Sequence, residues 1–563
     1  MQWPTHEVAN QVPDLPDCNL YAIDAALQEA VQRTAPWHAA TLMHSGATLG
    51  THAMRETAAL ANRHPPQLQT HDRVGRRIDS VAFHPAWHEL LSLQRQAKLQ
   101  SLPWSDPRAG AHAARTAGYY LQAQLESGSL CPITMTFASI PLLRQEPALA
   151  AILEPKLFAR EHDPRDLPIA DKRAILIGMG MTEKQGGSDV RTNATVARAI
   201  NERGRGHPYL LTGHKWFYSV PHADAHLVLA QAEGGLSCFF VPRWRPDGGK
   251  NAVLIQRLKD KLGNHSNASG EVEFQDAWGL MVGEEGRGIP TIIEMANHTR
   301  LDCVIGSVGL MRHALVQAIH HARHRSAFGR LLAEQPLMQN VLADLALESE
   351  AATLLMMCLA QAADATHGNE DGQADPLERA WQRIVVPAAK FWVCKRAIEF
   401  CGECMEVWGG NGYVEEAPMA RMLREAPVNS IWEGSGNVMC LDVLRAIERE
   451  PEAWAALLQH LEEAAAGHPA LQTQLHVLRD MATLPQDRLQ MEARRLAQQL
   501  VLAAQAALML QYAPQENAEI FAASRSDPAN GRVYGTLGTT PNGKPGIASG
   551  NILQRILQRA CPA

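Results

Sequence analysis

Apolar positions recur along the chain with two different periods, and the change between them divides it. From about residue 20 to 160 the spacing is helical. Ile23, Leu27, Ala30 and Val31 share one face, and Tyr119, Leu121 and Leu125 suggest another, with Pro-containing loops between. From about 181 to 285 short runs bounded by Gly, Asp or Pro read as strands: Tyr209–Thr212, His226–Ala230, Ser237–Pro242 and Gly270–Phe274. Glu271-Val272-Glu273-Phe274 alternates, as in a sheet with one face in water. After Gly286-Arg287-Gly288 the helical period returns. Val308, Met311, Leu315, Ile319 and Ala322 lie three or four apart, and Trp381, Ile384, Ala388, Phe391, Ile398 and Met405 form a second stripe.

Asp364 to Pro376 reads as a surface loop, and Pro387 marks a kink or a late helix start. Beyond about 446 the chain is helical and rich in Leu, Ala and Gln. It ends in a Gly/Pro/Thr/Asn stretch, Asp527 to Gly550, that buries little, and a short amphipathic segment with Ile552, Leu553, Ile556 and Leu557 on one side. These patterns predict a mainly α chain with a central β unit. The division is N-terminal helices over 1–180, a β domain over 181–285, a helical bundle over 286–445, and an extra helical C-terminal domain over 446–563 with a basic, partly flexible end.

Composition narrows the class. Hydrophobic residues make up 46% and charged residues 20%, the balance of a globular protein. A formal charge of −7 argues against nucleic-acid binding over the whole surface, though not against a local basic face. The ten cysteines are dispersed, no apolar run is long enough to span a membrane, and Met1–Glu7 has no leader pattern, so a reducing cytoplasm is the expected location. Cys401-Gly402-Glu403-Cys404 is a lone CxxC in a helix-like stretch and reads as structural, without metal. His320 and His324 are four apart, but no third ligand accompanies them, so a wet helix face is expected.

Four segments can carry chemistry. In Met181-Thr182-Glu183-Lys184-Gln185-Gly186-Gly187-Ser188-Asp189, paired glycines admit a flat ligand and hydroxyls can donate to it; alone, it is equally a turn opening the β unit. In Gly213-His214-Lys215-Trp216-Phe217-Tyr218-Ser219-Val220-Pro221, a Trp beside a hydroxyl can wall a planar cofactor or simply fill a core. Arg325-Ser326-Ala327-Phe328-Gly329, followed by Gln335, offers a guanidinium fork for a pyrophosphate, or a solvated Arg. The fourth runs from Trp408-Gly409-Gly410-Asn411-Gly412-Tyr413 to Glu433, a carboxylate between Trp432 and Gly434, partly shielded and with room beside it, as a general base requires.

Taken in order, these segments resemble the acyl-CoA dehydrogenase family over roughly residues 120 to 446. Thr182–Asp189 matches its TEPxxGSD element, with Lys184 in place of Pro. Lys215–Ser219 resembles KxWIT, and Lys261-Leu262-Gly263-Asn264-His265-Ser266 resembles KLGxxxS. Arg325–Gly329, Gly409–Tyr413 and Trp432-Glu433-Gly434 resemble RxxFG, GGxGY and YEG. The resemblance implies FAD bound without a Rossmann unit. Met181, Thr182, Gly187, Ser188 and Val190, with Ser219, Val220 and Pro221, would face the isoalloxazine, and Trp216 would flank it. Arg325, Phe328 and Gln335 would approach the pyrophosphate and adenosine from a neighbouring subunit of a homotetramer, and Gly409, Gly410, Ser435 and Asn437 would complete the cofactor site. It also implies α,β-desaturation of an acyl-CoA, with Glu433 taking the α-proton while the β-hydrogen leaves as hydride. Asn297-His298-Thr299-Arg300 offers no rival carboxylate.

The full-length pattern is closest to the AidB-type branch, which is linked to the bacterial adaptive response to DNA alkylation. Ser129–Phe137, Gly178–Asp189, Pro427–Asn437 and the extra C-terminal section carry that resemblance. It implies double-stranded DNA binding without sequence specificity, protection of that DNA from alkylating agents, and weak dehydrogenation of short branched-chain substrates such as isovaleryl-CoA. The alternative is a dedicated metabolic acyl-CoA dehydrogenase. Asn297, Glu406 and Trp432 depart from the family pattern and bear on CoA affinity more than on flavin. In residues 520–563, Arg525, Arg532, Lys544, Arg555 and Arg559 stand against Asp527 alone. Arg445 and Arg525 match basic positions implicated in DNA binding by that branch, and such phosphate-driven binding weakens with salt.

Overall fold

The computed structural model describes residues 4–367, 375–526, 533–537 and 550–562. The chain forms two compact units. One comprises residues 53–108 and 126–302; the other comprises 1–52, 109–125 and 303–563. The expected boundary at 180/181 falls inside the first unit, because Ile177–Gly180 is a strand that pairs in parallel with Ala225–Ala232. The expected boundary at 445/446 falls inside a helix, Gly436–Arg449.

The first unit is built on a seven-stranded sheet in which Ala225–Ala232, Val196–Ala199, Pro208–Ser219, Ser269–Val282 and Gly235–Pro242 pair in turn, and the last pairs back with the first. That ring closes as a barrel and leaves no free edge among its five members. Tyr209, Leu211, Phe239, Phe274 and Met281 point inward and are buried. In the expected alternation Glu271-Val272-Glu273-Phe274, Val272 and Phe274 are buried and Glu273 is exposed. Glu271 departs from it, being covered by Lys259 at 2.6 Å and Arg257 at 2.7 Å.

The stretch from 20 to 160 is not wholly helical. Gln67–His71 and Arg77–Ala82 form an antiparallel hairpin. The hairpin owes little to its own pattern: Leu68 and Val81 pack against the barrel core, and Arg77 Nη2 donates to the Ile255 carbonyl at 2.7 Å. Tertiary contact overrides a weak local signal here.

The second unit is helical. Val308, Met311, Leu315, Ile319 and Ala322 are all buried on Gly288–His324, as their spacing predicts. Before Pro387 the chain takes a π-helical turn, Trp381–Val385, and then runs as an α-helix over Val386–Val407. Proline has no N–H to give the preceding turn, and the wider turn absorbs the missing bond. Cys401 and Cys404 are buried free thiols on that helix. The C-terminal section adds Pro451–Ala464, Pro469–Ala482, Gln486–Tyr512, Gln515–Ser526 and Gly550–Ala560. On the last, Leu553, Ile556 and Leu557 are buried, as the amphipathic pattern predicts. The stretch expected to bury little lies largely outside the described residues. Its described part, 533–537, is docked: Tyr534 and Leu537 are buried. Among the described residues no helix is long and apolar enough to cross a membrane.

Candidate active site

In the barrel unit the Met181–Asp189 segment is pinned from several sides. Glu183 and Gly186 exchange backbone hydrogen bonds, making a tight turn. Gly187 lets the turn lie close to Thr182, since a Cβ there would come within 2.8 Å of Thr182 Oγ1 and push that side chain aside. The Glu183 carboxylate accepts backbone N–H bonds from Ala194 at 2.7 Å and Thr195 at 3.2 Å, and meets Lys215 Nζ at 2.7 Å. Burial alone would raise this carboxyl; the Lys215 ammonium and the N–H donors override it and hold it down at about 2. Burial likewise draws Lys215 down to about 8, with Glu183 opposing the fall.

A register shift between Lys215 and Tyr218 releases Trp216 and Phe217 from the strand ladder. Trp216 N instead donates to the Thr182 carbonyl at 2.9 Å. The two motifs are thereby joined through backbone. Lys259, Lys184 and Arg257 stand 4.0, 5.3 and 5.7 Å from the Trp216 ring centroid. His226 stacks on Tyr218 at 3.9 Å and donates from Nε2 to the Ser219 carbonyl at 3.2 Å. Val220 has φ +55°, and its N–H is already taken by the Ala268 carbonyl at 2.8 Å. Val220 and Pro221 are buried, and the Val220 carbonyl accepts from Ala223 N at 2.8 Å, so Val220 presents no exposed, unbonded group. Thr182, Val190 and Ser219 are half-buried, and Ser188 is exposed.

In the helical unit a two-rung hairpin, Ser326–Ala327 against Arg330–Leu331, gathers Arg325, Phe328 and Gln335. Gln335 Nε2 donates to the Ala327 carbonyl at 3.0 Å. Asn10 clamps the other side: its amide exchanges two 2.8 Å bonds with the Ser326 backbone, and its carbonyl accepts from the Arg325 guanidinium. Phe328, at φ +52°, is 99% exposed. Gly409, at φ +60°, and Gly410 open a short helical turn, and a Cβ on either would meet nothing within 4 Å. Trp408 beside them donates to the Gln317 carbonyl at 3.1 Å and stacks on His321 at 4.8 Å. The histidine run is therefore not the wet face expected: His320 and His321 are buried, and His320 bonds to the Pro13 carbonyl at 2.9 Å. Only His324 is exposed.

Glu433 is half-buried with φ +59°, and Gly434 follows at +105°. Buried Lys390 donates to the Gly434 carbonyl at 2.7 Å. Trp432 Nε1 donates to Asn429 Oδ1 at 3.1 Å, and Asn429 Nδ2 donates to Ser307 Oγ at 3.1 Å. The Gly434 carbonyl after Glu433 and the Trp432 side chain before it are thus each held by a partner from elsewhere in the chain. Ser435 precedes the helix Gly436–Arg449, and Asn437 Oδ1 accepts from Arg494 Nε at 2.8 Å. Val220, Phe328 and Glu433, all expected site residues, are among the few non-glycine residues with left-handed backbone. Such strain persists only where surrounding structure enforces it, and it concentrates at functional sites. Of the departures from the family pattern, Asn297 Oδ1 accepts from Arg300 at 3.1 Å and Glu406 is exposed.

The residues expected to meet DNA separate. Arg445 has a side chain 57% exposed, with Asp442 4.0 Å away. Arg525 is turned inward, only 16% exposed, and pairs with Asp344 at 2.6 Å and Glu348 at 3.1 Å. A guanidinium shared by two buried carboxylates is not placed to contact a phosphate, which corrects the expectation for Arg525. The other basic residues of the terminal segment that the structure describes are likewise matched by acids from elsewhere. Arg555 pairs with Glu516 at 2.6 Å, and Arg559 with Glu29 at 2.6 Å and Glu350 at 2.8 Å. Arg532, Lys544 and Asp527 lie outside the described residues.

Lys390, Asn10, His226 and Arg494 hold the site segments, yet none was selected from sequence; Lys215 entered only as part of its motif, without its Glu183 partner. Lys390, Asn10 and Arg494 act on residues distant in the chain, and no local spacing marks such a partner.

Barrel, strained carboxylate loop and helical bundle define the acyl-CoA dehydrogenase fold. Residues 10–164 match the adaptive response protein AidB N-terminal domain, 178–277 the acyl-CoA dehydrogenase middle domain, and 286–448 the acyl-CoA dehydrogenase C-terminal domain. The chain is 48% identical to AidB of Escherichia coli (strain K12), an acyl-CoA dehydrogenase relative, over 94% of its own length and 96% of that protein's. It therefore belongs to the acyl-CoA dehydrogenase family, in its AidB branch. Caenorhabditis elegans ACDH-11, solved with C11-CoA, superposes with a TM-score of 0.84 at 25% identity, covering 94% of each chain. An acyl-CoA dehydrogenase of Bacillus anthracis, solved with FAD, shares the fold at a TM-score of 0.65 and 17% identity, over 85% of this chain and 91% of that one.

Proposed function

We propose that this chain is an FAD-dependent α,β-desaturase of acyl-CoA thioesters, with Glu433 as general base and a homotetramer as the working form. The observation that carries this reading is the Glu433 loop: a carboxylate on left-handed backbone, fixed by Lys390 on one side and the Trp432–Asn429–Ser307 chain on the other. Such rigidity suits a base that must meet one C–H bond in one geometry.

The donor set fits FAD. In the barrel unit Thr182, Ser188 and Ser219 offer hydroxyls and Trp216 an aromatic wall; the helical unit, by itself, offers the Arg325 guanidinium and the open backbone of Gly409 and Gly410. The family membership and the FAD-bound Bacillus anthracis structure support the same cofactor. When bound, FAD supplies the acceptor for the β-hydride. Glu433 takes the α-proton onto a carboxylate oxygen, leaving the electron pair to form the Cα–Cβ double bond as hydride departs from Cβ. Lys390 and Asn429 keep the base in place.

The test is a titration of the purified yellow protein with isovaleryl-CoA and longer acyl-CoAs while flavin absorbance is followed. Bleaching in wild type that Glu433→Gln abolishes, with flavin retained, is the expected result. No bleaching with any chain length rejects the reading.

A second role on the same chain is favoured by exposed Arg445 and by the match to an adaptive response protein domain: binding of double-stranded DNA, with protection against alkylating agents, in the cytoplasm. Salt-sensitive retention of random duplex DNA, reduced by Arg445→Ala, is expected; absence of binding at low salt rejects it.

A further inference from the structure

The extra C-terminal section packs on the helix that follows Glu433 and is tied to its first turn by a hydrogen bond. Arg494, on Gln486–Tyr512, donates from Nε to Oδ1 of Asn437, in the first turn of the helix that follows Glu433, at 2.8 Å. An arginine has donors only, so an asparagine side chain can meet it only through its oxygen. That pairing orients the amide: with Oδ1 held by Arg494, the two N–H donors of Nδ2 point the other way.

The surroundings are cationic. Arg494 and Lys395 both stand 5.9 Å from the Phe391 ring. The helix starts directly over that ring, since a Cβ at Gly436 would lie 3.1 Å from Lys395 Cε and 3.3 Å from Phe391 Cδ2. Ser435, at the N-cap, makes no side-chain capping bond.

We infer that Arg494 is a positioning residue which sets Asn437 as a hydrogen-bond donor to the acceptor-rich dinucleotide part of FAD, so that the C-terminal section tunes cofactor retention. This inference rests on the FAD reading above. Its chemistry is specific: the ligand group must be an acceptor, a phosphate oxygen or ribose hydroxyl, and a carboxylate at 437 would pair with Arg494 yet offer no donor.

The experiment measures FAD affinity of the stripped full-length protein by flavin fluorescence, for wild type, Arg494→Ala, Arg494→Lys, Asn437→Ala, Asn437→Asp and the Arg494→Ala/Asn437→Ala double variant. Arg494→Ala is expected to weaken FAD about fivefold to tenfold, the loss of one oriented hydrogen bond. Arg494→Lys restores part of the affinity, Asn437→Asp weakens binding as much as Asn437→Ala, and the Arg494 effect vanishes in the Asn437→Ala background. A melting temperature unchanged by Arg494→Ala separates positioning from folding. Wild-type affinity in Arg494→Ala, or simple additivity in the double variant, overturns the inference. A wild-type protein that takes up no FAD at all overturns the underlying reading instead, and this inference with it.

Discussion

Lys215 Nζ and Glu183 Oε1 lie 2.7 Å apart, and neither side chain has any exposed surface. One residue belongs to the strand that presents Trp216, the other to the Gly-rich turn that presents Thr182 and Gly187, so this ion pair sets one candidate cofactor segment against the other. A buried pair is costly to break because the residue left behind is an uncompensated charge.

Glu183→Gln or Lys215→Met is therefore expected to lower stability by about 3–5 kcal/mol in denaturant unfolding. The joint replacement Glu183→Gln/Lys215→Met should recover part of that loss, since both charges go together and the Gln amide oxygen still accepts from the Ala194 or Thr195 N–H. Flavin content should fall in the single variants. A single variant as stable as wild type would mean that the pair does not organise this region.

Glu348, fully buried between Arg396 at 2.7 Å and Arg525 at 3.1 Å, predicts an acid limit. Burial would raise its carboxyl, but the two guanidinium groups hold it at about 2, below the usual value of 4.5. The unfolded carboxyl takes up its proton first as pH falls. The stabilisation, about 3 kcal/mol, is thus complete above pH 4.5 and lost as pH falls toward 2. Glu183 acts in the same direction. Urea midpoints should decline over that interval in wild type, and a flat profile would contradict the assignment.

Gly434 has φ +105°, and a Cβ there would come within 2.5 Å of Met439 Cε. Gly434→Ala is expected to cost about 1–3 kcal/mol and to slow acyl-CoA-dependent bleaching by displacing Glu433. Bleaching at the wild-type rate would show that the base tolerates movement of its loop.

Arg445→Ala and Arg525→Ala should part company. The first is expected to leave stability unchanged and to reduce the salt slope of DNA binding by about 1. The second removes a partner of Asp344 and Glu348 and should lower stability by about 3 kcal/mol or more. Equal losses of DNA affinity at unchanged stability would place Arg525 on the binding face after all.

Periods of three to four and of two are properties of a local backbone, so the stripe Val308–Ala322 and the strands around Tyr209, Leu227 and Phe239 were legible from the chain alone. The ordered motifs from Thr182 to Glu433 likewise named the family. Local pattern missed the Gln67–Ala82 hairpin, whose two strands are held by the barrel beside them, and placed one unit's edge at 181 when Ile177–Gly180 already belonged to the sheet.

Charge shows the division most clearly. Sequence alone determined that five basic residues outnumber one acid in 520–563. Only tertiary structure decided that Arg525, Arg555 and Arg559 face Asp344, Glu348, Glu516, Glu29 and Glu350. Glu433 divides in the same way. Its place between Trp432 and Gly434 was written in the chain, while the Lys390 bond to the Gly434 carbonyl and the Trp432 side chain's link to Ser307 through Asn429 were not. Residue identity sets what a group can do, but which partner desolvates, pairs or strains it depends on atoms brought together from distant parts of the chain, and no local spacing encodes that.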